Sequence, residues 1–138
     1  MHNRSALNLT AVLSCLGGLL SGGPAGSAEP VVLPRTTDQA VVLENEVCRY
    51  EIGTDGKNRA LICLADQQDY AQPGVAFMLV GQGQQSFAAA KVELAGDVLT
   101  VSFTDCPLQV KAKVEIRPRY FTLTVVGVSG GELDWLQL

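Results

Sequence analysis

A two-residue period of apolar and polar side chains constrains the fold of this chain more than any other feature. Between residues 110 and 116 the even positions are apolar and the odd positions are charged: Val110, Lys111, Ala112, Lys113, Val114, Glu115 and Ile116. Residues 99–103 and 121–125 show the same alternation, with Ser and Thr as the polar partners. This period places one face of a strand on a core and the other in water. Together with frequent turn signals, it predicts an all-β antiparallel β-sandwich or supersandwich-like sheet stack of about seven to nine short strands.

The first 28 residues have the three-part layout of a secretory signal peptide. Arg4 supplies a positive charge, residues 6–20 are mainly apolar, and residues 21–28 are small residues and a proline that end at Ala28. We therefore expect cleavage after Ala28 and export to the periplasm, the cell surface or the extracellular space. Lipidation at Cys15 is the alternative. The apolar stretch is short for a bilayer, which takes about 20 apolar residues, so no membrane span is expected after cleavage.

The mature chain would comprise an extended leader over residues 29–39, with Pro30 and Pro34, and a β-sandwich domain over residues 40–138. Whether that domain is complete or truncated at its C-terminus stays open at this point. Loss of Arg4 takes the 10 basic residues to 9 against 14 acidic ones, a net charge of −5. This acidic balance argues against nucleic acid as a partner, because phosphate backbones are bound by basic surfaces.

Histidine chemistry is missing from the mature chain. The single histidine is His2, inside the predicted signal peptide. This excludes Ser-His-Asp and Cys-His nucleophile activation and histidine-ligated zinc. We therefore assign no catalytic residue, no metal site and no cofactor. Asp66 and Asp69 suit a turn or capping role, with a weak calcium site as the alternative.

The strongest local signal is a β-hairpin that turns at Asp55-Gly56, a dipeptide favoured in type I′ turns. A turn centred there pairs residues whose numbers sum to 111, so that Cys48 faces Cys63. A disulfide between Cys48 and Cys63 is one prediction, since an exported protein enters an oxidising compartment. Buried thiols at Cys48, Cys63 and Cys106 are the alternative. In the first case Cys106 is left over.

The order of strands and turns resembles a known family. Residues 42–52 read VLENEVCRYEI, residues 55–58 read DGKN, and residues 60–66 read ALICLAD. Together with the strands after residue 111, they resemble the N-terminal β-sandwich (galactose-mutarotase-like) domains of secreted glycoside hydrolases and related polysaccharide-acting enzymes. The resemblance covers about residues 40–138. In that family the catalytic carboxylates lie in a separate, later domain, so the resemblance implies a non-catalytic support or glycan-binding module.

Two aromatic residues are candidate sugar-stacking platforms, namely Tyr70 in a loop and Trp135 near the C-terminus. The C-terminal segment, residues 131–138, carries apolar residues on both faces. It therefore predicts packing against a downstream domain, a partner or a second copy. The expected partners are polysaccharide or a missing downstream domain. The alternative function is an envelope or surface protein-binding domain with no carbohydrate role.

Overall fold

The computed structural model describes residues 10–14 and 32–138, and they form twelve β-strands. The strands are β1 (Thr10–Ser14), β2 (Arg35–Thr36), β3 (Ala40–Glu44), β4 (Cys48–Gly53), β5 (Asn58–Cys63), β6 (Gln68–Asp69), β7 (Leu79–Gln82), β8 (Gln85–Ala95), β9 (Val98–Phe103), β10 (Cys106–Ile116), β11 (Tyr120–Ser129) and β12 (Trp135–Gln137). Within these two ranges there is no helix, and hence none long and apolar enough to cross a membrane.

The strands form two antiparallel sheets. One has seven strands in the order β1-β11-β10-β9-β8-β7-β12, and the other has five in the order β2-β3-β4-β5-β6. The all-β, sandwich-like prediction is confirmed. The strand count exceeds the expected seven to nine because the short strands at the edges carry no periodicity that a sequence reading could detect.

A single apolar core joins the two sheets. On β10 the even positions from Leu108 to Ile116 are buried, and the odd positions are exposed or half-buried, as the alternation predicted. The five-stranded sheet contributes side chains such as Leu43 and Ile52, both fully buried. The described residues place no buried polar or charged residue in this core. Burial of a large aliphatic side chain is worth about 1.5–3 kcal/mol, so this cluster is the main source of stability.

The β4–β5 hairpin has the predicted pairing but not the predicted turn. Cys48 faces Cys63 and Tyr50 faces Leu61, as the 111 sum requires. A type I′ turn requires a positive φ at both central residues. Gly56 has a positive φ and Asp55 does not, so the prediction of a type I′ turn is wrong. The Gly53 amide donates to the Lys57 carbonyl, which leaves a three-residue turn. A bulge at Arg59 then shifts the register back by one residue, and the two departures cancel.

Two further segments have local structure that the sequence pattern did not predict. The sequence favours a short helical turn over residues 66–72, whereas the structure has a turn over residues 64–67, with Gln67 at φ 58°, followed by β6. Within the predicted leader at residues 29–39, Arg35 and Thr36 form β2 and pair with β3. The Arg35 guanidinium also lies 3.6 Å from the Glu44 carboxylate, in an ion pair exposed to solvent.

Five residues of the predicted signal peptide form β1, which pairs antiparallel with the first half of β11. The register runs from Thr10 opposite Thr124 to Ser14 opposite Tyr120. The prediction of the signal peptide otherwise falls on residues 1–9 and 15–28, which lie outside the described residues. The first half of the outer edge of β11 therefore carries a strand in the uncleaved chain.

Candidate functional site

Trp135 lies directly over the backbone of Gly81. The two residues are antiparallel register partners on β12 and β7. A Cβ atom added to Gly81 would sit 1.9 Å from both Cε2 and Nε1 of the indole, far inside any contact distance. Only a glycine permits this approach. The indole is held in place and still leaves 39% of the residue exposed.

Polar contacts hold the segment that carries Trp135. The Asp134 amide donates to the Gly81 carbonyl at 2.9 Å, and the Asp134 carboxylate accepts from the Gly83 amide. The Gln82 side-chain amide donates to the Glu132 carbonyl at 2.8 Å. These bonds join the C-terminal segment to the β7–β8 turn. They give the indole a fixed support rather than a free chain end.

Apolar contacts also anchor β12 to the chain's own core. Leu133 and Leu136 are half-buried and pack against the core cluster. Leu138 is 44% exposed. Leu133 and Leu136 therefore pack against residues of this chain. Their burial does not require the downstream domain, partner or second copy that was expected to pack against residues 131–138.

Tyr70 follows β6 and is held by a network of turn hydrogen bonds. Its amide donates to the Leu61 carbonyl, and its hydroxyl donates to Asp66 Oδ2 at 2.5 Å. That hydroxyl bond, with one from the Gln68 amide, holds the pKa of the Asp66 carboxyl below its usual range. Asp69 Oδ1 accepts from two backbone amides. Both carboxylates therefore serve the turn role predicted for them, and Tyr70 as a residue stays 57% exposed.

The two aromatic candidates lie on different sheets. Tyr70 is at the β6 edge of the five-stranded sheet, whereas Trp135 is at the β12 edge of the seven-stranded sheet. The structure does not bring them into one platform. Each is therefore a separate candidate contact, and Trp135 has the better-defined support.

Cys48 and Cys63 form a non-hydrogen-bonded cross-strand pair. The Leu64 amide donates to the Val47 carbonyl at 2.9 Å, which makes residues 47 and 64 the hydrogen-bonded pair beside them. In the adjacent non-hydrogen-bonded position the Cα atoms approach to about 4.5 Å. Both cysteines are buried. Cys106 is half-buried on the other sheet, with Sγ 4.0 Å from Gln82 Oε1. The geometry is open to a Cys48–Cys63 bridge, and the bridge itself stays a prediction.

No three His, Cys, Asp or Glu residues among residues 10–14 and 32–138 are grouped to hold a metal ion. Tyr50 donates its hydroxyl to Asn58 Oδ1, and burial raises the pKa of Tyr50 well above its usual range. A phenol held neutral by burial is a core group, so Tyr50 contributes to stability rather than to proton transfer.

Sequence reasoning missed Gly81, because the pattern predicts a loop over residues 81–85 whereas Gly81 lies within β7. The available signal was a glycine directly after the apolar segment 75–80, since glycine in a strand often marks the close approach of another group. No protein-family model, no curated protein and no solved structure matches the chain.

Proposed function

We propose that the chain is an exported, non-catalytic β-sandwich module that binds polysaccharide through the indole of Trp135. The observation that carries this proposal is the position of that indole over Gly81, with 39% of the residue still exposed. An aromatic ring can stack on the CH groups of a sugar. A ring that is already immobilised loses little conformational entropy when it does so.

Three further features support a binding module over an enzyme. The mature chain has no histidine. The carboxylates nearest an aromatic candidate, Asp66 and Asp69, are engaged in turn hydrogen bonds. The strand order resembles front domains whose catalytic groups lie elsewhere. The expected binding partner of this module would then be either the polysaccharide or a downstream catalytic domain.

The single tryptophan makes the binding test specific, because all tryptophan fluorescence comes from Trp135. The chain is titrated with a neutral β-glucan, a galactan and an acidic polyuronide, and its migration is followed in gels that contain each polymer. We expect one polymer to shift the emission and retard the protein. Trp135→Ala should abolish retardation, and Trp135→Phe should restore part of it.

Tyr120→Ala is the matched control, because Tyr120 is an aromatic residue with the same 39% exposure on a different strand. It should bind normally. Tyr70→Ala tests the second platform. If none of the three polymers retards the wild-type chain, the polysaccharide proposal fails.

Export is tested separately by expressing the full chain with its own N-terminus in a secreting host. Intact mass and N-terminal sequencing should give Glu29 as the first residue. Retention of residues 1–28 without lipid on Cys15 would contradict export by this route.

A surface protein-binding domain with no carbohydrate role is the second candidate. The observation that favours it is the long, uncharged outer edge of β11. Strand edges bind other chains by main-chain hydrogen bonds and need no pocket.

A further inference from the structure

Without β1, β11 would be an outer strand of its sheet, and it differs from the three other outer strands, which are β2, β6 and β12. β2 and β6 have two residues each, and β12 has three. β2 also carries Arg35 in an ion pair with Glu44, and β6 carries Asp69. β11 has ten residues, YFTLTVVGVS, with no charged residue and no proline. Proteins protect long edges with charge, proline or bulges, and of these β11 has only a bulge.

The bulge is at Val126, where the register with β10 shifts. Val126 is 56% exposed, and Val128 is 38% exposed. β1 pairs with the half of β11 before the bulge, from Tyr120 to Thr124. No strand among the described residues covers the outer side of residues 125–129. The edge is therefore half covered in the uncleaved chain.

The strand that covers it belongs to the predicted signal peptide. β1 shows that the first half of β11 accepts an antiparallel strand over five consecutive residues. Cleavage after Ala28 removes that strand. All ten residues of the β11 edge would then lack a neighbour on their outer side.

We propose that a second copy of the mature chain fills this vacated edge with its own β11, antiparallel across a two-fold axis. This proposal rests on the export and cleavage proposed above. The resulting contact joins the two seven-stranded sheets, each now without β1, into one continuous sheet. Two-fold pairing of identical edges is the simplest closed assembly, because each copy covers in the other the residues that β1 covered before cleavage, Tyr120 to Thr124.

The faces of β11 match when the strand pairs with itself. Phe121 and Leu123 are buried on the core side, whereas Thr122 and Thr124 are half-buried on the opposite side. Residues directly opposite each other in an antiparallel pair share a face. A two-fold pairing centred on residue 122 or 123 therefore sets core side against core side and threonine against threonine.

The absence of charge on β11 also favours self-pairing. The strand has no charged residue, so self-pairing sets no like charges opposite each other. Arg117 and Arg119 precede β11, and in a pairing centred on residue 122 they lie level with the uncharged Gly127 and Val125 of the other copy.

The test uses the full chain expressed with its own N-terminus in a secreting host. Intact mass reports cleavage, and sedimentation velocity over a range of concentrations reports assembly. We expect the species that begins at Glu29 to be a dimer. Thr122→Lys should weaken dimerisation at least tenfold, because an edge lysine opposes strand addition. Thr100→Lys is the matched control, since Thr100 is half-buried on the same face but in the interior strand β9. It should leave the dimer intact.

Charge reversal provides a second readout that misfolding cannot imitate. Thr122→Glu alone should also weaken dimerisation at least tenfold. An equimolar mixture of the Thr122→Lys and Thr122→Glu chains should recover the dimer, because positions 122 of the two copies lie close together only in this pairing.

Each other outcome overturns the proposal. A cleaved monomer removes self-pairing and leaves export standing. A dimer that is insensitive to Thr122→Lys, or a mixture that fails to reassociate, would show that the two copies touch at another surface, such as residues 131–138. A chain that retains residues 1–28 overturns both the export proposal and the vacated edge.

Discussion

The indole of Trp135 occupies the space that a side chain at position 81 would need, so Gly81 and Trp135 act as one unit. Gly81→Ala should displace the indole and loosen β12 from β7. We expect a loss of about 1–3 kcal/mol in the free energy of unfolding, the usual cost of overpacking. Urea unfolding measures that loss. A red shift of the single tryptophan's emission would report the displaced ring.

Gly127→Ala is the control for this substitution. Gly127 is also a strand glycine, but the nearest atom to an added Cβ is Lys111 Cβ at 4.0 Å. Its effect on stability should stay within about 1 kcal/mol in either direction. Equal effects at positions 81 and 127 would show that the indole yields without cost.

Gly56 is the second glycine that the fold requires. It has φ +80°, and an added Cβ would lie 2.5 Å from the backbone carbonyl group of Ala89 on the opposite sheet. Gly56→Ala should therefore lower the free energy of unfolding by about 2–4 kcal/mol, through left-handed backbone strain together with overpacking against Ala89. Gly96→Ala separates the two contributions, because Gly96 has φ +63° and nothing within 4 Å. Thermal or urea unfolding should show a clearly larger loss at position 56, and similar losses would contradict the packing argument.

Tyr50 should make stability fall at alkaline pH. Burial raises its pKa in the folded state, so the folded protein keeps the phenol proton where the unfolded chain, with an ordinary pKa of about 10, releases it. The unfolded state then binds fewer protons, and the free energy of unfolding declines as pH rises above about 10. Tyr50→Phe should cost about 1 kcal/mol at neutral pH, through the lost hydrogen bond to Asn58. It should also flatten the alkaline decline. Urea unfolding across that pH range decides it, and identical slopes in both proteins would refute the assignment.

Oxidation should link Cys48 to Cys63 and leave Cys106 out. The first two are register partners in a non-hydrogen-bonded pair, whereas Cys106 lies on the other sheet beside Gln82. The bridge closes a loop of about 15 residues, for which the chain-entropy contribution is about 3 kcal/mol. Non-reducing peptide mapping of the exported protein checks the pairing, and Cys106→Ser should not alter it. A bridge that contains Cys106, or no bridge under oxidising conditions, would show that facing positions are not enough.

Sequence alone determined the fold class and the strands whose periodicity is local. Alternation along β9, β10 and β11 is set by each strand's own residues, because successive side chains point to opposite faces. The pairing of Cys48 with Cys63 was also predicted correctly, although the turn was not. A three-residue turn and the bulge at Arg59 shift the register in opposite directions, so the distant pairs agree with the simple sum.

Only the tertiary structure decided what lies next to what across the sheets. Phe77 and Met78 are buried although they belong to no strand. The Phe77 amide donates to the Gly56 carbonyl, so a contact with a distant turn holds this segment in place. The approach of Trp135 to Gly81 joins residues 54 positions apart in sequence, at an edge that exists only once β7 has paired with β8. Local periodicity states which face of a strand is apolar. Which strand that face meets, and which edge is left open, depends on long-range pairing that no single segment encodes.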